Sequence, residues 1–215
     1  MINVLADYYP NSIPEVLTTS GGLLEKVAPD GSLLPFAGNT VVFLLPEEAK
    51  QALAQVQQEL HRRCGAMLAE PLEMPTFHLT LHDLANGELL PQREEMAAKA
   101  KIALDEIRSA KLPAIAMKAT WTFNMVSTSI VLGFEPANRE AWAQLDALYE
   151  RFQQIRPLSY GLTPHITMAY FRPGVYKDTA ALKQAVGPVE LEVMLEPDNL
   201  VLQDFDHMNA YRTVY

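Results

Sequence analysis

The chain of 215 residues repeats one order of secondary structure. Short apolar runs typical of buried strands alternate with segments whose apolar residues recur at helical spacing, and the order strand, helix, strand, helix, strand occurs twice. The helices that open the two halves share a pattern, Gln51–Val56 against Glu140–Leu145, at an offset of 140 − 51 = 89 residues. This repetition predicts an α+β protein with two similar lobes related by an approximate twofold axis.

The predicted elements suggest where the lobes begin and end. Residues 1–39 carry several turn signals and are predicted to form an N-terminal arm with a hairpin at Asp30-Gly31. The body, 40–215, is predicted to divide into lobes at roughly 40–123 and 124–215, with an exchange of strands between them left open. Helices are predicted from Pro46, Pro91 and Ala137, and the main strands at 40–45, 76–82, 114–123, 128–134 and 163–171.

Composition and charge exclude several classes of protein. Apolar residues make up 49% and charged residues 20%, which is enough for a large core and unlike a disordered chain. The net charge of −9 argues against a protein that coats long nucleic acid, because such binding rests on many Lys and Arg contacts to phosphates. No apolar run approaches the roughly 18 residues of a membrane span. With one Cys and no readable secretory leader, we expect a cytoplasmic monomer.

Two His-x-Thr tripeptides occupy the second predicted strand of each half. His78-Leu79-Thr80 and His165-Ile166-Thr167 are 165 − 78 = 87 residues apart, close to the offset of the helices. Strict strand alternation predicts that His78, Thr80 and His82 share one face, opposite Phe77, Leu79 and Leu81. In the second half it places His165, Thr167 and Ala169 opposite Ile166, Met168 and Tyr170. Each strand therefore presents an imidazole beside a hydroxyl.

This pairing suits phosphate chemistry. A neutral imidazole can take a proton from an attacking hydroxyl or water, while an imidazolium donates one to the leaving oxygen. A Thr two residues further along the strand can donate its hydroxyl to a phosphoryl oxygen. Two copies that face each other across a twofold axis would put one acid and one base on opposite sides of a single phosphorus. No metal or other cofactor is needed if the substrate brings a strained cyclic phosphate.

The two motifs, with this spacing in a duplicated chain of this size, resemble those of the two-histidine (2H) phosphoesterase superfamily, the LigT-like RNA ligase and cyclic phosphodiesterase group. The resemblance covers roughly residues 38–206. It implies a bilobal fold in which two concave antiparallel sheets form a central cleft lined by both motifs. It also implies that His78 and His165 are the catalytic pair and that Thr80 and Thr167 bind phosphate.

Other residues near the motifs are weaker candidates. Tyr160 and Arg172 flank the second motif and could contact a base or a phosphate, and Asn39 could add a polar group at the rim. His82 is a further candidate contact. A metal site at His78 and His82 is disfavoured, because residues four apart on a strand have Cα atoms about 13 Å apart, too far to share one ion.

These features lead to three functional hypotheses. The first is a metal-independent phosphodiesterase that opens a cyclic phosphate, 2′,3′-cyclic or related, on a small nucleotide or short RNA end. The second is formation or cleavage of 2′-5′ phosphodiester bonds by the same groups. The third is a non-catalytic nucleotide sensor, although a binding module has no need of two acid/base residues.

Overall fold

The computed structural model describes residues 2–3 and 12–215 of the chain. Ten strands are formed within these ranges: β1 (Leu17–Thr18), β2 (Gly38–Leu44), β3 (His78–Asn86), β4 (Ile115–Met125), β5 (Ser129–Pro136), β6 (His165–Tyr170), β7 (Val175–Tyr176), β8 (Glu192–Leu195), β9 (Leu200–His207) and β10 (Ala210–Thr213). The α-helices described are α1 (Glu47–Cys64), α2 (Arg93–Ser109), α3 (Arg139–Gln153) and α4 (Ala180–Ala185).

Two four-stranded antiparallel sheets form the body. Their strand orders are β3-β2-β9-β10 and β6-β5-β4-β8, so each sheet has a His-x-Thr strand at one edge. Each motif strand pairs with the strand that opens its half, β2 or β5. The predicted class, an α+β fold of two duplicated lobes, is confirmed.

The sheets do not divide the chain at residue 123. β4 belongs entirely to the second sheet, and β9 and β10 return from the C-terminus to complete the first sheet beside β2. A strand can pair with any sheet edge that is free in three dimensions, whatever its place in the sequence. β3 covers one edge of β2, so the other edge is available to β9. The lobes therefore exchange strands, and the last part of the chain completes the first lobe.

Helices α1 and α3, which open the two halves, start close to where the sequence predicts. Pro46 precedes the first residue of α1, and the Asn138 side chain accepts a hydrogen bond from the Ala141 backbone N–H at the start of α3. The buried side of α1 is formed by Ala49, Leu53, Gln57, Leu60 and Cys64, at the spacing of an amphipathic helix. None of the helices in the described ranges is long and apolar enough to cross a membrane.

Side chains from one half support the motif strand of the other. The buried Gln57 amide on α1 donates to the backbone oxygens of Leu72 (3.1 Å) and Met168 (3.0 Å), the second of which lies in β6. On the other side, the Arg156 guanidinium just after α3 donates to the Leu84 carbonyl in β3. These crossed contacts hold the two motif strands in a fixed relation.

The described part of the N-terminal arm runs across both lobes. β1 pairs with β7, the Ser20 N–H donates to the Ser127 carbonyl, and the Phe36 N–H donates to the Asp206 carbonyl in β9. Between these contacts the predicted hairpin is present, with Gly31 at φ 92° and a bridge between Val27 and Leu33. The arm residues 1 and 4–11 lie outside the described ranges.

The turn between β4 and β5 combines an unfavourable backbone conformation with residues poorly suited to it. Val126 and Ser127 have φ values of 44° and 56°, the left-handed conformation that type I′ turns reserve for Asn and Gly. A β-branched residue there is strained. Replacing Val126-Ser127 by Asn-Gly is therefore expected to raise the free energy of unfolding by about 1–2 kcal/mol. Urea unfolding of the variant and the wild type checks this. An unchanged urea midpoint would contradict the inference that the turn is strained.

Candidate active site

Both His-x-Thr motifs line one cleft between the sheets. The Cα atoms of β3 and β6 approach to within 8 Å, so the two edge strands that carry the motifs are neighbours. We call this space the cleft. Its polar lining consists of His78, Thr80, Asp83 and Asn86 from β3, His165, Thr167 and Tyr170 from β6, Tyr211 from β10, and Lys26, Thr40 and Thr76. The four residues that the motifs singled out are thus brought together.

The two imidazoles are held in the same way. Nδ1 of His78 lies 2.7 Å from the Thr76 carbonyl oxygen, and Nδ1 of His165 lies 2.7 Å from the Thr163 carbonyl oxygen. A carbonyl accepts only from an N–H, so each contact places a proton on Nδ1 and leaves Nε2 with its lone pair for a ligand. In both halves the imidazole contacts the carbonyl two residues upstream, so the repeat includes this hydrogen bond.

Burial favours the neutral form of both rings. It lowers the pKa of His78 to about 4, with a smaller lowering from the charge of His165, although the Thr76 hydrogen bond opposes both. Burial also lowers the pKa of His165, opposed by the Thr163 carbonyl and by Asp83. Near neutral pH both Nε2 atoms are therefore proton acceptors in the free protein. An anion bound beside either ring would favour its protonation further than Asp83 does.

Bulges in β3 change which residues face the cleft. Val42 pairs with Thr80 and Val41 with His82, so Leu81 is an extra residue that interrupts the alternation. As a result His82 is only 1% exposed, and its ring packs on Tyr149 and Phe152. The position predicted for His82 beside His78 and Thr80 is thus taken by Asp83, and after a second irregularity Asn86 also lines the cleft.

The second motif strand has the equivalent bulge. Val131 pairs with Thr167 and Ile130 with Ala169, which leaves Met168 as the extra residue, 168 − 81 = 87 positions after Leu81. Ala169 is therefore buried and Tyr170 lines the cleft, the reverse of their predicted faces. Asp83 and Tyr170 thus occupy equivalent positions, each five residues after its motif His.

A second space, the side cavity, opens beside the cleft and shares Lys26, Thr80, Asp83, His165, Thr167 and Tyr170 with it. Its volume of about 590 Å³ lies within the range of roughly 300–1,000 Å³ typical of small-molecule sites. Apolar groups, including Leu158, Leu162 and Met125, form much of its wall. Tyr160, one of the predicted contacts, lies on this wall with 56% of its surface exposed.

Two other predicted contacts lie elsewhere. Arg172 lines a separate surface pocket with Asp30 and His61, because the chain leaves β6 before it and turns towards the arm hairpin. Asn39 is fully buried, and its amide accepts from the Ala85 N–H (2.8 Å) and donates to the Arg93 carbonyl (3.2 Å). Its side chain therefore satisfies backbone groups beside the second irregularity of β3 and does not reach the cleft.

One residue of the cleft has no counterpart in the sequence prediction. Lys26 comes from the arm, 78 − 26 = 52 residues before the first motif, and lines both the cleft and the side cavity. Because the arm lies outside the repeat, neither periodicity nor motif spacing points to it. Among the residues that line these two spaces, Lys26 is the one Lys or Arg.

The groups that line the cleft are suited to acid/base catalysis on an anionic substrate. Two imidazoles with available Nε2 atoms, four Thr hydroxyls, two Tyr hydroxyls, one ammonium and the Asp83 carboxylate lie around a common space. Across residues 2–3 and 12–215, no group of three or more His, Cys, Asp or Glu side chains is placed to hold a metal ion.

Comparison with known proteins identifies solved structures that share this architecture. No protein-family model matches the sequence, and no curated protein does either. Among solved structures, a conserved protein of unknown function from Agrobacterium tumefaciens, ATU0111, aligns with a TM-score of 0.63 and 16% identity over 88% of this chain and 89% of its own. LigT of E. coli complexed with phosphate aligns with a TM-score of 0.52 and 14% identity over 85% of this chain and 96% of its own.

The chain has the LigT fold. A further LigT structure, complexed with 3′-AMP, aligns with a TM-score of 0.52 and 17% identity over 84% of this chain and 96% of its own. TT0787 of Thermus thermophilus aligns with a TM-score of 0.56 and 16% identity over 83% of this chain and 95% of its own. The resemblance predicted from the two motifs is thereby confirmed for the fold.

Proposed function

We propose that the protein is a phosphodiesterase that opens a cyclic phosphate, 2′,3′-cyclic or related, on a small nucleotide or short RNA end. The observation that carries this proposal is the matched pair of His78 and His165, each with Nδ1 bound to the carbonyl two residues upstream, on one cleft. Thr80 and Thr167 line the same cleft and are proposed to donate to the phosphoryl oxygens. The LigT fold supports the proposal.

The proposed reaction assigns one proton transfer to each His. One neutral Nε2 accepts a proton from the attacking water as its oxygen bonds to phosphorus. The other His, protonated when the anionic phosphate binds beside it, gives its proton to the ester oxygen that leaves. The ring opens to a phosphate monoester. The His that acted as the base then releases its accepted proton to solvent, and the His that acted as the acid takes up a proton with the next anionic substrate.

The side cavity gives room for the nucleoside. It adjoins the cleft through the shared residues His165, Thr167 and Tyr170, so a phosphate held at the motifs can extend its sugar and base into it. The exposed ring of Tyr160 can stack on a base, a contact worth roughly 1–3 kcal/mol per base in single-stranded complexes.

One feature favours the alternative, formation or cleavage of 2′-5′ phosphodiester bonds. Aromatic and apolar residues also line the cleft on the side of the C-terminal strands, namely Phe205, Met208 and Tyr211. Groups can therefore be accommodated on both sides of a phosphate at the motifs, as a diester between two nucleosides requires.

A panel of nucleotides tests the proposal. Purified protein would be incubated with 2′,3′-cyclic and 3′,5′-cyclic mononucleotides and with a 2′-5′-linked dinucleotide, and products would be followed by phosphorus NMR. We expect the wild type to open at least one cyclic phosphate and His165→Ala to fail to do so. Cleavage of the dinucleotide alone would favour the 2′-5′ alternative, and binding without turnover would indicate a sensor.

Chelation is expected to leave the activity intact. The proposed acid/base step uses two imidazoles and needs no metal-bound water. After exhaustive treatment with EDTA and gel filtration, the initial rate on the substrate found in the panel should remain within about twofold of the untreated enzyme. Loss of activity that Zn²⁺ or Mn²⁺ restores would contradict the mechanism.

A further inference from the structure

The arm fixes the backbone at Lys26 from both sides. The residues around it, Leu23 and Val27, are fully buried, and the Val27 N–H donates to the Leu23 carbonyl. The Lys26 carbonyl accepts from the Leu34 N–H across the hairpin. The position from which this side chain enters the cleft is therefore set by packing and hydrogen bonds.

The ammonium of Lys26 lies over aromatic rings. Its Nζ is 4.7 Å from the ring centroid of Phe36 and 5.9 Å from that of Tyr170. Within the described ranges no carboxylate oxygen is within 4 Å of it, and the carboxylates of Asp83 and Glu25 act on it only as more distant charges. Cation–π contacts orient an ammonium and leave its N–H groups available to an acceptor.

Two Tyr hydroxyls of the cleft are paired with a thioether sulfur, and Tyr170 also has a side-chain hydrogen bond with Thr167. The hydroxyls of Tyr170 and Tyr211 both point to the sulfur of Met208, at 3.1 Å and 3.7 Å, and a thioether is a weak acceptor. Burial raises the pKa of both phenols, so both remain proton donors. A ligand oxygen is a stronger acceptor than a thioether, so phenol donors directed at the Met208 sulfur favour a ligand that brings oxygen acceptors, such as an anion.

We propose that Lys26 binds the phosphoryl group of the substrate, which makes the N-terminal arm part of the active site. This inference rests on the proposed phosphodiesterase function. A phosphodiester carries one negative charge and gains more as the attacking oxygen approaches phosphorus. With both imidazoles neutral in the free protein, Lys26 is the cation within the cleft lining that can compensate this charge.

The energetic cost of burying the Lys26 ammonium in the cleft also supports a role in anion binding. Burial lowers the pKa of Lys26, with Asp83 opposing the shift, so the charged form is disfavoured by folding. If this residue served only to hold the arm in place, an apolar side chain would stabilise the folded state more than a lysine does. Removal of the charge is therefore expected to leave the folded state equally stable or more stable while it weakens anion binding.

Three variants test the assignment. Lys26→Met keeps the length of the side chain and removes the charge, and Lys26→Arg restores it. Lys50→Met is the matched control, since the Lys50 ammonium lies close enough to act on His78 but donates to the Pro75 carbonyl (3.2 Å) and does not line the cleft. Binding of inorganic phosphate would be measured by calorimetric titration, and thermal melting would be recorded for each variant without phosphate.

We expect Lys26→Met to bind phosphate at least tenfold more weakly than the wild type, with an unchanged or higher melting temperature. Lys26→Arg should recover most of the affinity, and Lys50→Met should stay within about threefold. Phosphate affinity of Lys26→Met within twofold of the wild type would overturn the assignment. If Lys26→Met does not fold, Lys26→Gln is judged by the same criterion.

Turnover separates this inference from the proposed function. With a substrate from the nucleotide panel, Lys26→Met should lose at least tenfold in kcat/KM. If the wild type turns over a substrate and Lys26→Met does so equally well, the Lys26 assignment fails and the phosphodiesterase proposal stands. If no cyclic phosphate or diester is turned over by the wild type, the proposed function fails, and phosphate titration alone then decides whether Lys26 is an anion-binding residue.

Discussion

Replacing either His78 or His165 by Ala is expected to lower turnover of the substrate at least about a hundredfold, because each removes one of the two proton-transfer groups. The double variant should be little worse than the worse single one, since acid and base act in one step and their losses are not additive. Thr80→Ala and Thr167→Ala should cost less, about tenfold each, because each removes one proposed hydrogen bond to phosphate and no proton-transfer group. Initial rates on the substrate identified by the panel check all of these.

His61→Ala provides the matched control for these variants. His61 is on α1 and lines the separate surface pocket with Arg172, so the same change of residue there leaves the cleft untouched. Its activity should remain within about twofold of the wild type. Rates of His78→Ala or His165→Ala within threefold of the wild type, in protein whose melting curve is unchanged, would rule out the two-histidine mechanism.

The wild-type protein is expected to lose stability on acidification more steeply than His78→Asn. The pKa of His78 is about 4 in the folded chain, below the value of roughly 6.5 expected when unfolded. Between these values the unfolded chain binds more protons, so the free energy of unfolding falls as the pH drops below about 6.5 and the loss is complete below about 4. At pH 5 this corresponds to a loss of about 2 kcal/mol relative to pH 7.5.

Asn is chosen because its amide can still donate to the Thr76 carbonyl and it does not titrate. Urea unfolding of both proteins at pH 7.5 and pH 5.0 gives the comparison. The wild type should lose about 2 kcal/mol more than His78→Asn between the two conditions, and His165→Asn should show a shift of the same sign because burial also lowers the pKa of His165. Parallel losses in wild type and variants would contradict the burial of neutral imidazoles.

Much of the fold can be read from local pattern. The helical spacing of Leu53 and Leu60 and the proline at 46 locate α1 to within a residue, since an amphipathic helix depends on residues three and four apart in the same segment. The alternation in each motif places His and Thr on one face of a strand for the same local reason. The repeat of both at nearly one spacing then predicts two lobes with one motif each.

The bulges are not visible in the local pattern. Leu81 and Met168 are apolar residues in apolar strands, and nothing in their neighbourhood marks them as extra residues. A bulge is a property of pairing between two strands, so it appears only when β2 and β5 are in register with their partners. For that reason His82 was predicted in the position that Asp83 occupies, and Tyr170 was predicted on the buried face.

By itself, then, the sequence determined the class of fold, the duplicated lobes and the two His-x-Thr strands, because all three follow from short-range periodicity and its repetition along the chain. Tertiary structure alone decided the exchange of β9 and β10 into the first lobe, the exposure of Asp83 and Tyr170, and the entry of Lys26 from the arm. These features depend on contacts between segments far apart in sequence, where the free edge of a sheet and the space left by packing determine which residue fits.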